Sequence, residues 1–356
     1  MKLHLCFFER MTAMARKVKF GVFADLHVDI MHDTQERLQV FLDHCRKEDV
    51  DFIIHLGDFC YPDDNRKVNC TPEHQPVNIA NALKVKTYAD KPAILRMFND
   101  FEKPSYHVLG NHECDMCSKQ ELLDFIEAKN GSYYSFDQGG FHFVVLDCSF
   151  FKDEDGTLKA YENGNYFEVG FNENMSLPWL PQEQVDWLKE DLAKAENPSV
   201  IFSHQTLSTL PESWAIKNWK EVREILKAAP KGVAACFNGH HHMDLCTRED
   251  DIWFVQINSM DCIWLDVDFI VEGRYGKEID EKYPNIKYVV PYKDPVYAIV
   301  TMDENGIDIK GTQSEFVGIA PEEMGLYSKP DSWWKDVYEP HIRSTPSQED
   351  RYLPFD

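Results

Sequence analysis

Positive charge is scarce in this sequence. Lys and Arg number 37 against 61 Asp and Glu in 356 residues, a formal net charge of −24. The overall field of so acidic a chain does not draw in nucleic acid or an anionic membrane. An anionic substrate would need local positive charge, which a bound metal can supply. Long apolar runs are missing as well: none approaches the roughly 18 residues that span a bilayer. The short patch His4 to Phe8 is interrupted by Glu9 and Arg10, so no signal peptide is expected. There is no internal repeat and no low-complexity tract. The ten cysteines are scattered and form no disulfide framework, which points to the cytoplasm. Cys114-x-x-Cys117 has no second such pair to complete a zinc site and reads as two reduced thiols.

What the chain does have is a folded composition, 43% hydrophobic and 13% aromatic, and a regular punctuation. Short apolar runs, VKFGVFAD (18–25), DFIIHLGD (51–58), SYHVLGNH (105–112), SVIFSH (199–204) and VAACFNGH (233–240), read as buried or half-buried strands. Helical patterns lie between them. Apolar residues recur at 38, 41, 42 and 45, at 185, 188 and 192, and at 219, 222, 225 and 226. Strands alternating with helices indicate an α/β fold, whose sites lie beyond the carboxyl ends of the strands.

The strand ends share a chemistry. They carry Asp25-x-His27, Asp58, Asn111-His112, His204 and His240-x-His242. Each group has a plain explanation alone: an Asp after a strand caps a helix or makes a turn, and His55, His107 and His142, inside apolar runs, are taken as core histidines. Five coincident caps and turns would not select these histidines. Carboxylate, imidazole and amide oxygen without thiolate suit Mn²⁺, Fe or Zn²⁺. Seven such groups, Asp25, His27, Asp58, Asn111, His204, His240 and His242, are too many for one ion. A carboxylate can bridge two ions roughly 3.5–4 Å apart, as two-metal hydrolytic sites do.

This set resembles the calcineurin-like metallophosphoesterase superfamily, through Asp25-x-His27, Gly57-Asp58, Gly110-Asn111-His112-Glu113, His204 and Gly239-His240-x-His242 over about residues 17 to 262. The resemblance implies a four-layer α/β/β/α sandwich with two divalent metal ions. Asp25, His27, Asp58 and His242 would hold one ion. Asp58, Asn111, His204 and His240 would hold the other, with Asp58 bridging. A hydroxide shared by the ions would attack phosphorus in line, and the catalytic His112 would stand at the leaving-group side. On an extended backbone His240 and His242 share a face and His241 does not, so His241 is expected to pack or support, with substrate contact as the alternative. By the same reasoning His112 diverges from the metal that Asn111 touches. Gly57-Asp58-x-x-Tyr61 also fits purple acid phosphatases, whose Tyr binds iron, but those lack the histidine that His27 supplies here; Tyr61 is therefore expected beside the metals. The pattern looks most like the cyclic-nucleotide phosphodiesterase and manganese-dependent nucleotide-phosphohydrolase groups.

The expected protein is a metal-dependent hydrolase of small phosphodiesters or nucleotides, neither membrane-bound nor a nucleic-acid partner. A phosphomonoesterase or nuclease of the same fold is the alternative. A non-catalytic scaffold should have lost ligands or His112, and none is lost. Residues 17–311 are expected to form the catalytic domain. Within it, 59–100, with a helix near 77–101, is read as an insertion shaping substrate access. VYAIVTMDENGIDIKG (296–311) reads as a hairpin across Glu304-Asn305-Gly306 that completes the second sheet. Residues 312–356, with Trp333-Trp334, are read as an extension packed on the core.

Overall fold

The computed structural model describes residues 16–28, 30–60, 89–166, 177–210, 215–265, 269–328 and 345–355. Tyr61, Trp333-Trp334, the His4 to Phe8 patch and most of 59–100 lie outside them.

Two six-stranded sheets carry the fold. In chain order the strands are β1 (Lys17–Phe23), β2 (Phe52–His55), β3 (Ser105–His107), β4 (Tyr134–Gln138), β5 (Phe141–Val145), β6 (Phe150–Lys152), β7 (Leu158–Ala160), β8 (Ser199–Phe202), β9 (Val233–Asn238), β10 (Leu245–Glu249), β11 (Ile252–Gln256), β12 (Cys262–Trp264), β13 (Val289–Pro291), β14 (Ala298–Asp303), β15 (Gly306–Gly311) and β16 (Arg351–Pro354). The first sheet has the order β16-β15-β14-β1-β2-β3 and the second β10-β11-β9-β8-β5-β4; β6–β7 and β12–β13 are separate pairs. β1, β2 and β3 run parallel, as do β5, β8, β9 and β11. The helices are α1 (Thr34–Glu48), α2 (Lys91–Asn99), α3 (Lys119–Phe125), α4 (Gln182–Lys194), α5 (Trp219–Lys227) and α6 (Lys277–Lys282).

The expected four layers form, and side-chain alternation makes them. Val18, Phe20 and Val22 of β1 join Phe52, Phe143, Phe202 and Phe237 in one apolar layer between the sheets. Phe20 stacks on Phe52 with centroids 4.9 Å apart and meets Phe143, Phe202 and Phe237 edge-on. Loss of such a buried ring costs about 3–5 kcal/mol. Phe23 and Ile53 instead face Leu38, Phe41, Leu42 and Cys45 of α1 and Ile94 and Phe98 of α2. On the far side Val144, Ile201 and Cys236 pack on Val185, Leu188 and Leu192 of α4 and Val222 and Leu226 of α5. The helical periods read from the sequence are thus the buried stripes. Among the described residues, no helix is long and apolar enough to cross a membrane.

One expectation changes here. The hairpin β14–β15 completes the first sheet, not the second: β14 pairs antiparallel with β1 from Lys17↔Asp303 to Val22↔Ala298. Periodicity shows that a hairpin has a buried face but not which strand edge receives it. Of the helix expected near 77–101, the described part is α2, with Asp90 capping the Ala93 N–H.

His142 sits between Asp137 and Asp191, at 3.1 and 2.8 Å. His55 and His107 form a one-way hydrogen-bond chain. The Gly57 N–H donates to His55 Nδ1 (3.2 Å), His55 Nε2–H donates to His107 Nδ1 (2.7 Å) and His107 Nε2–H donates to Asn99 Oδ1 (2.7 Å).

Candidate metal centre

The parallel strands deliver their ends to one place. Asp25 and His27 follow β1, Asp58 follows β2, Asn111 and His112 follow β3, His204 follows β8, and His240 and His242 follow β9. The turns are tight: Asp25, His27, Asp58, His240 and His242 all have positive φ, which costs a non-glycine residue energy and clusters at functional sites. Cross-loop hydrogen bonds hold them. The Asp25 N–H donates to Gly57 O (3.0 Å) and the His27 N–H to Asp58 O (2.9 Å). Gly57, at φ 95°, and Gly110 have no room for a side chain, since a Cβ on Gly110 would strike Asp58 Oδ1.

Two clusters result. Asp25, His27 and His242 present ligand atoms within 4.8 Å of one another, and so do Asp58, His204 and His240. Asn111 completes the second cluster, its Oδ1 lying 3.1 Å from His204 Nε2. Asp58 stands between the two, with Oδ2 3.1 Å from His204 Nε2 and 4.0 Å from His27 Nε2. All seven expected ligand residues converge, with His112 beside them. His241 is buried next to His240 and belongs to neither cluster.

The donor set fits cations. His204 Nδ1–H donates to Leu56 O (2.7 Å) and His242 Nδ1–H donates to Cys262 O (2.6 Å). A carbonyl only accepts, so both Nε2 atoms are left as lone pairs. That of His204 faces Asp58 Oδ2, Asn111 Oδ1 and His240 Nδ1, each 3.1 Å away. That of His242 faces His27 Nε2 at 3.1 Å and Asp25 Oδ1 at 3.3 Å, and Asp25 Oδ1 is buried without a hydrogen-bond partner. Lone pairs turned on one another repel unless a cation or a proton lies between them. At His204 the neighbouring charges favour such a proton. Burial pulls its pKa down, but the Asp58 charge and hydrogen bond outweigh burial and raise it to about 9. Asp58 is penalised by burial, yet His204 and His112 hold it well below the usual carboxylate range. His27 and His240 are driven well down, chiefly by burial.

Backbone conformation departs from expectation at two points. Residues 239–242 are not extended; His240 and His242 reach the centre from left-handed conformations at φ 74° and 50°. After β3 the chain enters a 3₁₀ turn, His112–Cys114, with Asn111 itself in the right-handed helical region. His112 leaves Asn111 through that turn. Its N–H donates to Asp58 Oδ1 (2.8 Å), and its ring lies between His27 and Trp264, at 5.4 and 5.6 Å between centroids.

Several residues outside the seven expected ligands and His112 support the centre. Glu113 accepts the N–H groups of Asp58 (3.0 Å), Phe59 (2.8 Å) and Gly110 (2.9 Å), tying two ligand turns together. Asp115 accepts from His112 Nδ1 (2.8 Å) and from Tyr166 Oη (2.6 Å). Asp115 and Asp58 raise His112 to about 10 against the burial that lowers it. Trp264 is half-buried against His27 and His112. Glu113 could have been picked out by its place in Gly110-Asn111-His112-Glu113; the others carry no local signal.

The profile of calcineurin-like phosphoesterases matches residues 18–244. The chain belongs to the calcineurin-like phosphoesterase family. Its members are phosphoric ester hydrolases that use two divalent metal ions. A manganese-dependent ADP-ribose/CDP-alcohol diphosphatase from Oryza sativa subsp. japonica is 29% identical over 177 residues, 42% of this chain and 55% of that protein. The match thus spans about half of that relative's length. The crystal structure of a dimetal phosphatase from Danio rerio superimposes with a TM-score of 0.54 at 15% identity, covering 85% of this chain and 99% of that one. That likeness concerns the fold.

Proposed function

We propose that this phosphoesterase hydrolyses small phosphodiesters, including pyrophosphate-linked nucleotide derivatives of the ADP-ribose and CDP-alcohol kind named for the rice relative. Asp25, His27, Asp58 and His242 hold one divalent ion, and Asp58, Asn111, His204 and His240 the other. The observation that carries this reading is Asp58 standing between two clusters of lone-pair donors. Such ions, manganese above all, supply positive charge for the phosphoryl oxygens and a nucleophile at neutral pH.

The chain's own residues do the rest. Glu113 and the cross-loop hydrogen bonds pre-set the ligand turns, so that little reorganisation accompanies loading. His112 donates Nδ1–H to Asp115, and Nε2–H is the proton it would give to the departing oxygen as general acid. Its side chain is 18% exposed, so a substrate can reach it. The net charge of −24 disfavours long nucleic acids. The buried thiols fit the reducing cytoplasm. We take residues 17–311 as the catalytic unit, 59–100 as shaping access and 312–356 as an extension packed on it; within the last, β16 edges the first sheet.

The test loads metal-free protein with Mn²⁺, counts ions, and assays nucleoside diphosphate derivatives, cyclic nucleotides and phosphomonoesters with and without chelator. Two ions per chain, hydrolysis of diphosphate or diester bonds, and loss of both ions from Asp58→Ala are expected. Retention of two ions by Asp58→Ala would falsify the shared carboxylate. Turnover confined to monoesters would replace the substrate class.

A further inference from the structure

An asparagine ligand has a problem that carboxylates and histidines lack. Its amide ends in an oxygen that can bind a cation and an NH₂ that repels one, and a half-turn about the last bond exchanges them. Asn111 is 4% exposed, so no bulk water settles the choice. Something buried must.

We infer that Tyr166 is a positioning residue that locks the Asn111 amide with its oxygen toward the ion shared with Asp58, His204 and His240; this rests on the metal-site reading above. Asn111 Nδ2 lies 3.3 Å from Tyr166 Oη, and its Oδ1 lies on the other side, 3.1 Å from His204 Nε2. A phenol has one proton. Tyr166 spends it on Asp115 Oδ1, at 2.6 Å. The other oxygen of Asp115 takes the His112 Nδ1–H at 2.8 Å, so Asp115 is an acceptor on both sides. Toward Asn111 the phenol oxygen can therefore only accept. The NH₂ group satisfies it; the flipped amide would set two lone-pair oxygens against each other in a buried site, where an unmade hydrogen bond is expensive.

The phenol is itself held. Tyr166 is buried and its ring stacks on Tyr161 at 4.3 Å between centroids, 17° from parallel. Tyr161 supplies an internal control, because its own hydroxyl is buried without a hydrogen-bond partner. The arrangement resembles the partners that orient histidine ligands from behind, whose loss typically weakens metal binding about 10–100-fold. Here the device sets an amide rather than a tautomer. The proton that sets it also ties Asn111 to Asp115 and, through Asp115, to His112, so ion and leaving-group histidine are oriented by one hydroxyl.

The experiment measures Mn²⁺ binding by calorimetry and by electron paramagnetic resonance on the full chain, in wild type, Tyr166→Phe, Tyr161→Phe, Asp115→Ala and Asn111→Ala. Tyr166→Phe keeps the ring stack and should bind one of its two ions about 10–100-fold more weakly, the other unchanged. Tyr161→Phe should match wild type. Asp115→Ala touches no ligand, yet it frees the phenol proton to turn toward Asn111 and permits the flipped amide, so it should weaken the same ion; it serves as the test should Tyr166→Phe fail to fold. Wild-type affinities in Tyr166→Phe, or in a folded Asp115→Ala, alongside ion loss in Asn111→Ala, overturn this inference and leave the metal-site reading standing. Two ions retained by Asn111→Ala overturn both.

Discussion

His27 Nε2 and His242 Nε2 face each other at 3.1 Å, although 215 residues separate them in the chain. One follows β1 of the first sheet and the other follows β9 of the second, so their meeting reports the sandwich of two sheets as well as a metal position. His240→Ala and His242→Ala are each expected to weaken one ion and lower turnover by about 10³-fold or more, the rate equivalent of several kcal/mol of lost charge stabilisation. His241→Ala should keep both ions. Equal metal loss in all three variants, measured by metal analysis after gel filtration, contradicts the division of the triplet.

His112 lends itself to a leaving-group test. General acid help is worth on the order of 10²–10⁴ in rate, and it matters for alkoxide leaving groups and not for nitrophenolate. His112→Ala should retain its ions and lose far more kcat/KM on alkyl or nucleotide esters than on nitrophenyl esters, at matched metal occupancy. A loss of the same size on both classes assigns His112 to holding the phosphate instead.

The His55–His107 chain sets an acid limit on stability. Burial lowers His107 to about 4 and His55 well below its ordinary value. Both are folded as neutral bases. Below about pH 6.5, the pKa of a free imidazole, the unfolded chain takes up protons that the folded chain refuses. Stability from this pair is therefore complete above pH 6.5 and falls as the pH drops toward 4. Urea unfolding of metal-free protein at pH 7.5 and pH 5 should show a smaller drop in His107→Gln than in wild type. The lowered histidines other than His55, which His107 lowers further beyond burial, contribute equally to both proteins, so an unchanged drop removes His107 from the account.

Arg351 of β16 reaches Asp244, two residues beyond His242, at 2.6 Å, where Gln348 Nε2 (2.6 Å) and the Glu349 N–H (2.8 Å) also donate. Asp244 is 4% exposed at its side chain. Arg351→Met leaves part of that charge uncompensated and should cost about 1.5–3 kcal/mol in urea unfolding, with weaker binding of the ion that His242 holds and partial recovery in Arg351→Lys. A stability loss with both ions at wild-type affinity confines Arg351 to the fold.

Strand-end chemistry was legible from the chain, because in a parallel sheet the residue after a strand stands at the carboxyl edge whatever its partners are; this suffices for Asp25, Asp58, Asn111, His204 and His240. Helix faces were legible because a buried stripe repeats every three or four residues, as Leu38, Phe41, Leu42 and Cys45 do. Three things waited on the folded chain. The β14–β15 hairpin could join either sheet, since register and neighbour depend on which edge is open. The left-handed turns at His240 and His242 lie where the loop after β9 meets the loop after β1, the His240 N–H donating to Asp25 Oδ2 at 3.0 Å. Tyr166, Trp264 and Arg351 carry no local pattern, and Asp115 shows only its near neighbour His112: Tyr166 meets Asp115 across 51 residues and Arg351 meets Asp244 across 107, and only the folded chain brings such residues within the roughly 3 Å at which a hydrogen bond acts.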